Sequence, residues 1–218
     1  MNLILFDLDD SLIAGDSESA WVDYLNNASL IKEKDFKEKM KNFTSNYQKG
    51  KLDTYAYTKF LLSPIKGMSL SEVDKLTKPF CEELLEIYKD NLTKDLLIKH
   101  NKDQCLVVSG TLSFLVKEIS LSLGIETFFG TDPEVKNDIY TGGVKGNPNF
   151  GKEKISRVKK WIKERKIDFN INIFAYSDSI YDLDLLNFSD KPTAINPDKK
   201  LRKICNERNW EIIERFNY

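Results

Sequence analysis

One histidine, three cysteines and six prolines are all that the 218 residues hold of those types. Histidine chemistry has only His100 to draw on, and the stretch LLIKHNK around it predicts a helix with His100 at the surface. A histidine-based phosphatase or a Ser-His-Asp triad is therefore disfavoured. Cys81, Cys105 and Cys205 are odd in number and lack metal-ligand spacing, and Cys105 lies in the apolar run CLVV. They predict buried, reduced thiols and a cytoplasmic protein. No apolar run approaches the ~18 residues of a membrane span, and the first residues show no basic n-region and meet Asp7 after a few apolar residues, so a soluble, unexported protein is expected. Charge of one sign is missing too: Lys+Arg 33 against Asp+Glu 34 leaves a net charge of -1. Without a basic field, neither nucleic acid nor an anionic membrane is an expected partner, and small molecules are. No feature specifies an oligomeric state.

What is present alternates between strands and helices. NLILF (2–6), QCLVVS (104–109) and INIFAYS (171–177) are short and almost wholly apolar, as strands covered on both faces must be. KPTAIN (191–196) is a weaker fourth. LSFLVKEISLSLG, KISRVKKWI and IYDLDLLNF follow as helices, the second with Ile155, Val158, Trp161 and Ile162 on one face, and NPDKKLRKICNERN supplies a last helix. This pattern predicts an α/β fold with a doubly wound parallel sheet, a Rossmann-like core. Residues 15–85 read differently, as helices alone, with N-caps expected at Ser17 and Ser71. The expected organisation is a core of residues 1–14 and 86–218 and an inserted helical cap of 15–85. KEKDFKEKMK is read as a solvated helix face, and TDPEVKNDIYTGGVKGNP as a hairpin beside the core.

The first strand runs into FDLDD, three carboxylates within four residues. Two like charges ~4 Å apart cost on the order of 4 kcal/mol at an effective dielectric of ~20, so such a cluster calls for solvent, a cation or chemistry. In open α/β sheets ligands bind beyond the carboxyl ends of the strands. Asp7 and Asp9 follow the first strand, Ser109 ends the second, and Asp178 and Asp182 follow the third. Asp7 and Asp9, at i and i+2 of an extended segment, can face one pocket. Singly, each acid could be a turn or cap residue; together at three strand ends they mark a site.

FDLDDSL, VVSGT and YSDSIYDLDLL, in that order, resemble the first, second and fourth motifs of the haloacid dehalogenase superfamily of aspartate-nucleophile phosphatases. The helical insertion resembles that superfamily's small cap, and INPDKKLRKICNERNWEII is similar to the ending of its phosphoserine phosphatase-like branch. The resemblance implies a phosphomonoester hydrolase in which Asp7 forms an aspartyl-phosphate. Asp9 would protonate the leaving alkoxide and then activate water. It implies that Ser109, with Gly110 beside it, contacts the phosphoryl oxygens; a helix cap is the other use open to Ser109. The third motif is a lysine at a helix start, for which NFGKEKISRVKKW offers Lys152 and Lys154; alignment on the I..V..W pattern that follows selects Lys154, whereas branches with the lysine two positions earlier would select Lys152. A hard divalent cation, Mg2+, bridging Asp7, Asp178 and the phosphate would relieve the repulsion among the acids, with the Asp9 carbonyl as a further ligand. Asp182, one helical turn after Asp178, would hold a metal-bound water or orient Asp178.

The expected substrate is a small phosphorylated metabolite, because a cap over a strand-end pocket excludes polymers. Asp16 stands where the phosphoserine phosphatases carry an acid for the substrate amine, or serves as an N-cap. Those enzymes hold the substrate carboxylate with a cap arginine; here GKLDTYAYTKFLL has none, Leu61 being the nearest match with Lys59 close by. Phosphoserine is thus expected to be a poor substrate and an amino alcohol phosphate a better one. The alternatives are a phosphotransferase and a regulatory or binding protein that keeps the fold without turnover.

Overall fold

A computed structural model describes residues 2–167 and 171–215; Met1, residues 168–170 and residues 216–218 of the expected core lie outside the described residues. Strand β1 (Leu3–Phe6) is followed by helices α1 (Ser17–Asn27), α2 (Phe36–Gln48), α3 (Thr54–Leu62), α4 (Leu70–Tyr88) and α5 (Asn91–Lys99). Then come β2 (Gln104–Leu112), α6 (Ser113–Ser122), β3 (Thr127–Thr131), the hairpin β4 (Pro133–Lys136) and β5 (Ile139–Val144), and α7 (Lys152–Arg165). The chain closes with β6 (Ile173–Ser177), α8 (Leu183–Phe188), β7 (Lys191–Ile195), α9 (Lys199–Arg208) and β8 (Glu211–Ile213).

The six-stranded sheet has the order β3-β2-β1-β6-β7-β8, with every pair parallel. Alternate residues of β1 point to opposite faces, and all four are fully buried. Ile4 and Phe6 pack with Val107 and Tyr176 on one face, while Leu3 and Leu5 pack with Val108, Ala175 and residues of α7, α8 and α9 on the other. This is the doubly wound α/β core that the apolar runs predict. Two strands, β3 and β8, have no counterpart among the expected ones. Both are sheet edges, short and partly exposed, so neither carries the continuous apolar run of a central strand.

The inserted helices are not all separable from the core. Trp21 on α1 meets Phe80 on α4 and Phe114 on α6 edge-on, at ring distances of 5.0 and 5.9 Å. Truncating Trp21 to alanine is expected to cost about 3–5 kcal/mol. The expected boundary at residue 85 falls inside α4, which runs unbroken to Tyr88. The hairpin is present, turning at Asn137 and Asp138, both with positive φ, and its Tyr140 pairs with the 67–68 segment of the insertion.

Several local expectations are corrected. Asp16, not Ser17, caps α1, because its carboxylate reaches the N–H groups of Glu18 and Ser19 while the Ser17 hydroxyl is buried without a partner among the described residues. Ser69, not Ser71, caps α4 in a reciprocal capping box with Glu72. His100 is buried, 3% exposed, rather than at the surface. It ends α5 against Phe6 and Phe174, with Nδ1 3.0 Å from Asp103 Oδ2 and Nε2 2.8 Å from the Tyr176 hydroxyl. These partners satisfy the ring, while burial pulls its pKa below the ordinary value. Among the described residues no helix is long and apolar enough to cross a membrane.

Candidate active site

β1, β2 and β6 lie side by side at the centre of the sheet, and their carboxyl ends open into one cleft of about 810 Å³, solvent at its mouth included. Its core wall carries Asp7, Asp9, Asp10, Ser109, Gly110, Thr111, Lys154, Asp178 and Asp182; the opposite wall carries Asp16, Glu18, Phe43, Thr44, Tyr47, Leu52 and Tyr57. The expected acids of all three strand ends therefore meet.

The turn after β1 sets the first two. Asp7 continues the strand, its N–H donating to the Tyr176 carbonyl at 2.9 Å. The chain then folds back, with Leu12 N–H on the Asp7 carbonyl and Ile13 N–H on the Leu8 carbonyl, and Asp10 takes a positive φ of 52°. None of these bonds uses the Asp9 carbonyl. Asp7 is 7% exposed; its Oδ1 accepts from Lys154 Nζ at 2.7 Å and its Oδ2 from the Ser11 hydroxyl at 3.0 Å. Ser11 Oγ also lies 3.2 Å from Asp178 Oδ1 and accepts from the Asp178 N–H at 3.0 Å. One hydroxyl proton thus stands between two carboxylates. Burial, then the charges of Asp7, Asp10 and Asp182, push the Asp178 pKa well up.

Between the two lysines offered by the sequence, geometry separates them sharply. Lys152 lies exposed on the first turn of α7, whereas Lys154 is 4% exposed and bonds both Asp7 and Asp182 Oδ2 at 2.7 Å. Burial alone would lower the Lys154 pKa, but the charges of Asp182 and Asp7 outweigh it and hold the ammonium firmly protonated. Asp182 also accepts from Ser177 Oγ at 2.8 Å, so it aligns the lysine rather than making a hydrogen bond to Asp178. Burial raises its pKa to about 6 against the pull of Lys154.

Asp9 stands apart from that cluster. Its oxygens accept from Ser17 N–H at 2.7 Å and the Thr111 hydroxyl at 2.5 Å, and burial, then Asp16, push its pKa up to about 7. A carboxyl that exchanges its proton near neutrality suits general acid-base work. Ser109 does not cap a helix, since α6 begins at Ser113. Its hydroxyl, 2% exposed, accepts from Thr111 N–H at 3.1 Å and keeps its own proton free. A side chain at Gly110 would meet the Phe150 ring at 2.7 Å, so a larger residue there would have to push that ring aside. Asn149 holds this segment from behind, donating to the Ser109 carbonyl at 2.8 Å.

Three neighbours of the site go unmarked in the sequence. Ser11 and Thr111 sit inside the quoted motifs and could have been read from them. Glu18 could not: it is 6% exposed, takes the Tyr57 hydroxyl at 2.9 Å and Leu112 N–H at 3.1 Å, and has its pKa pushed well up by burial, then by Asp9 and Asp16. Asp16 is exposed at the cleft rim, its carboxylate engaged as the α1 cap. Leu61 is buried in the core, Lys59 is exposed, and neither lines the cleft.

The donor set also fits a hard cation. Among the described residues no three acidic, histidine or cysteine side chains form a ready metal cage. Two carboxylates bridged by one hydroxyl, with an uncommitted carbonyl nearby, match Mg2+, which keeps several waters and shares substrate phosphate oxygens.

The family model for haloacid dehalogenase-like hydrolases matches residues 4–187. The chain is 33% identical to a histidinol-phosphatase of Neisseria meningitidis serogroup C, over 97% of this chain and 98% of that one. It is 29% identical to a phosphoserine phosphatase of Mycobacterium tuberculosis, over 73% of this chain and 52% of that one. A solved structure of a Bordetella pertussis protein with unknown function superposes with a TM-score of 0.88 at 28% identity, covering 97% of each chain. A phospho-aspartyl intermediate analogue of phosphoserine phosphatase shares the fold, with a TM-score of 0.65 at 21% identity, over 98% of this chain and 92% of that one. The chain belongs to the haloacid dehalogenase-like hydrolase family, as a phosphatase of its phosphoserine phosphatase-like branch.

Proposed function

We propose that the protein hydrolyses a small amino alcohol phosphate through an aspartyl-phosphate on Asp7, with Mg2+ as its cofactor. The observation that carries the reading is Asp7 itself, buried at a strand end between Lys154 and the Ser11–Asp178 pair, with Asp9 two residues away and its pKa raised to about 7. An Asp7 oxygen attacks phosphorus as the bond to the leaving alkoxide breaks, and Asp9 gives that alkoxide its proton. Asp9, now a carboxylate, takes a proton from water as the water oxygen attacks phosphorus and frees Asp7. Lys154 and the Ser109 hydroxyl balance charge on the phosphoryl oxygens, where most of it gathers. Phosphatases of this family generally use Mg2+; bound at Asp7, Asp178 and the Asp9 carbonyl, it would neutralise the substrate dianion and the acids together.

The leaving group lies on the Asp9 side, toward Glu18, Asp16 and the rings of Phe43, Tyr47 and Tyr57. An ammonium there would answer the acids and meet aromatic faces. No cation stands in that wall among the described residues, so a substrate carboxylate would find no partner. The Neisseria relative is named a histidinol-phosphatase, and histidinol is an amino alcohol without a carboxylate. The test is kcat/KM on histidinol phosphate, ethanolamine phosphate, glycerol phosphate and phosphoserine, with Mg2+ and with a chelator. Amino alcohol phosphates should lead, and only with metal; phosphoserine in first place would overturn the substrate reading. No inorganic phosphate from any of them would overturn hydrolysis itself.

A further inference from the structure

The last described residue reaches back to the centre of the site. Arg215 follows the edge strand β8, which β7 and β6 separate from β1, and it is only 9% exposed. Its backbone N–H donates to Asn196 Oδ1 at 2.7 Å. One guanidinium nitrogen donates to the Ser11 carbonyl, and the other donates to Asp90 Oδ2 at 2.6 Å. Asp90 in turn caps α5, accepting from Thr93 N–H at 2.9 Å, and the Thr93 hydroxyl lies 2.7 Å from the Leu12 carbonyl. Two successive carbonyls of the Asp7–Asp9 turn, those of Ser11 and Leu12, are therefore held by one Arg215–Asp90–Thr93 cluster. Ser11 is the residue whose hydroxyl stands between Asp7 and Asp178.

We propose that Arg215 is a positioning residue for phosphoryl transfer: by gripping the Ser11 carbonyl against the start of α5, it fixes the turn that aims Asp7 and Asp9. A planar guanidinium suits the task because its nitrogens hold two acceptors in fixed relative directions, which an ammonium cannot do. No substrate atom need touch it.

The test compares Arg215→Ala and Arg215→Lys with Arg202→Ala, which removes the nearby Arg202–Glu214 ion pair without reaching the turn. kcat and KM are measured per folded molecule, with the folded fraction taken from circular dichroism at the assay temperature. Arg215→Ala should lower kcat about ten- to a hundredfold, the usual range for residues that orient reacting groups, and leave KM within about threefold. Arg215→Lys should fall between it and wild type, Arg202→Ala should match wild type, and added guanidinium ion should raise the kcat of Arg215→Ala. A folded Arg215→Ala with the kcat of wild type would overturn the proposal; if that variant does not fold, a wild-type kcat in Arg215→Lys does so. The proposal rests on the hydrolytic reading only for its readout. An inactive wild type would count against that reading, whereas equal turnover in the variants counts against Arg215.

Discussion

On the core wall of the cleft Asp7 and Asp182 share Lys154, Ser11 stands between Asp7 and Asp178, and Thr111 and Ser17 hold Asp9. On the cap wall Glu18 has a tyrosine and a backbone N–H but no cation, and Asp16 spends its carboxylate on a helix end. On the proposed reading the first wall would meet a group that arrives negative, the second one that arrives positive. The contrast separates chemistry from selectivity, and each wall can be broken without the other.

Asp7→Asn should do the most damage, since the amide keeps the shape and cannot attack phosphorus. The folded variant is expected to retain less than ~1% of wild-type turnover in a phosphate-release assay, while its circular dichroism stays unchanged. Glu18→Gln should spare the core wall. An arriving ammonium would favour the ionised form of Glu18 against its burial, and losing that charged partner is worth about 1.5–3 kcal/mol, so KM for an amino alcohol phosphate should rise roughly ten- to a hundredfold. KM for glycerol phosphate should barely move, and equal losses on both substrates would erase the distinction between the walls. The acid step should follow Asp9. Burial and Asp16 hold its pKa near 7, above the ordinary 3.8, so its protonated fraction falls as pH rises through that value. Alcohol release in a single turnover should accordingly decline above neutrality, approaching tenfold per pH unit.

The smallest effect should come where the walls meet. Tyr181 stacks on Tyr47 at 4.5 Å and donates its hydroxyl to the Tyr47 carbonyl at 3.0 Å, joining α2 to the loop after β6. Tyr181→Phe keeps the stack and loses one hydrogen bond of about 1 kcal/mol, so kcat/KM should drop about fivefold or less.

The core wall was legible in the sequence because central strands of a parallel sheet are buried on both faces and read as unbroken apolar runs, each ending on its polar residue. NLILF into Asp7 and INIFAYS into Asp178 show it. Burial then distinguishes Lys154 from Lys152, which spacing alone could not do. Of the cap wall only Asp16 was legible, because the other contacts join residues far apart in the chain: Glu18 finds Tyr57 39 positions away and Leu112 94 away. Arg215 meets Ser11 across 204 positions. His100 looked like a surface residue because one polar side chain in a short helix carries no sign of the Tyr176 and Asp103 that accompany it into the core.

The central claim, covalent transfer to Asp7, is tested most directly by acid-quenching the wild-type enzyme during turnover of histidinol phosphate with Mg2+ and mapping the phosphoryl group by peptide mass spectrometry. The account predicts phosphate on Asp7 in the quenched wild type and none in Asp7→Asn. Turnover with the phosphoryl group on another residue, or with no protein-bound phosphoryl group at any quench time, would contradict it.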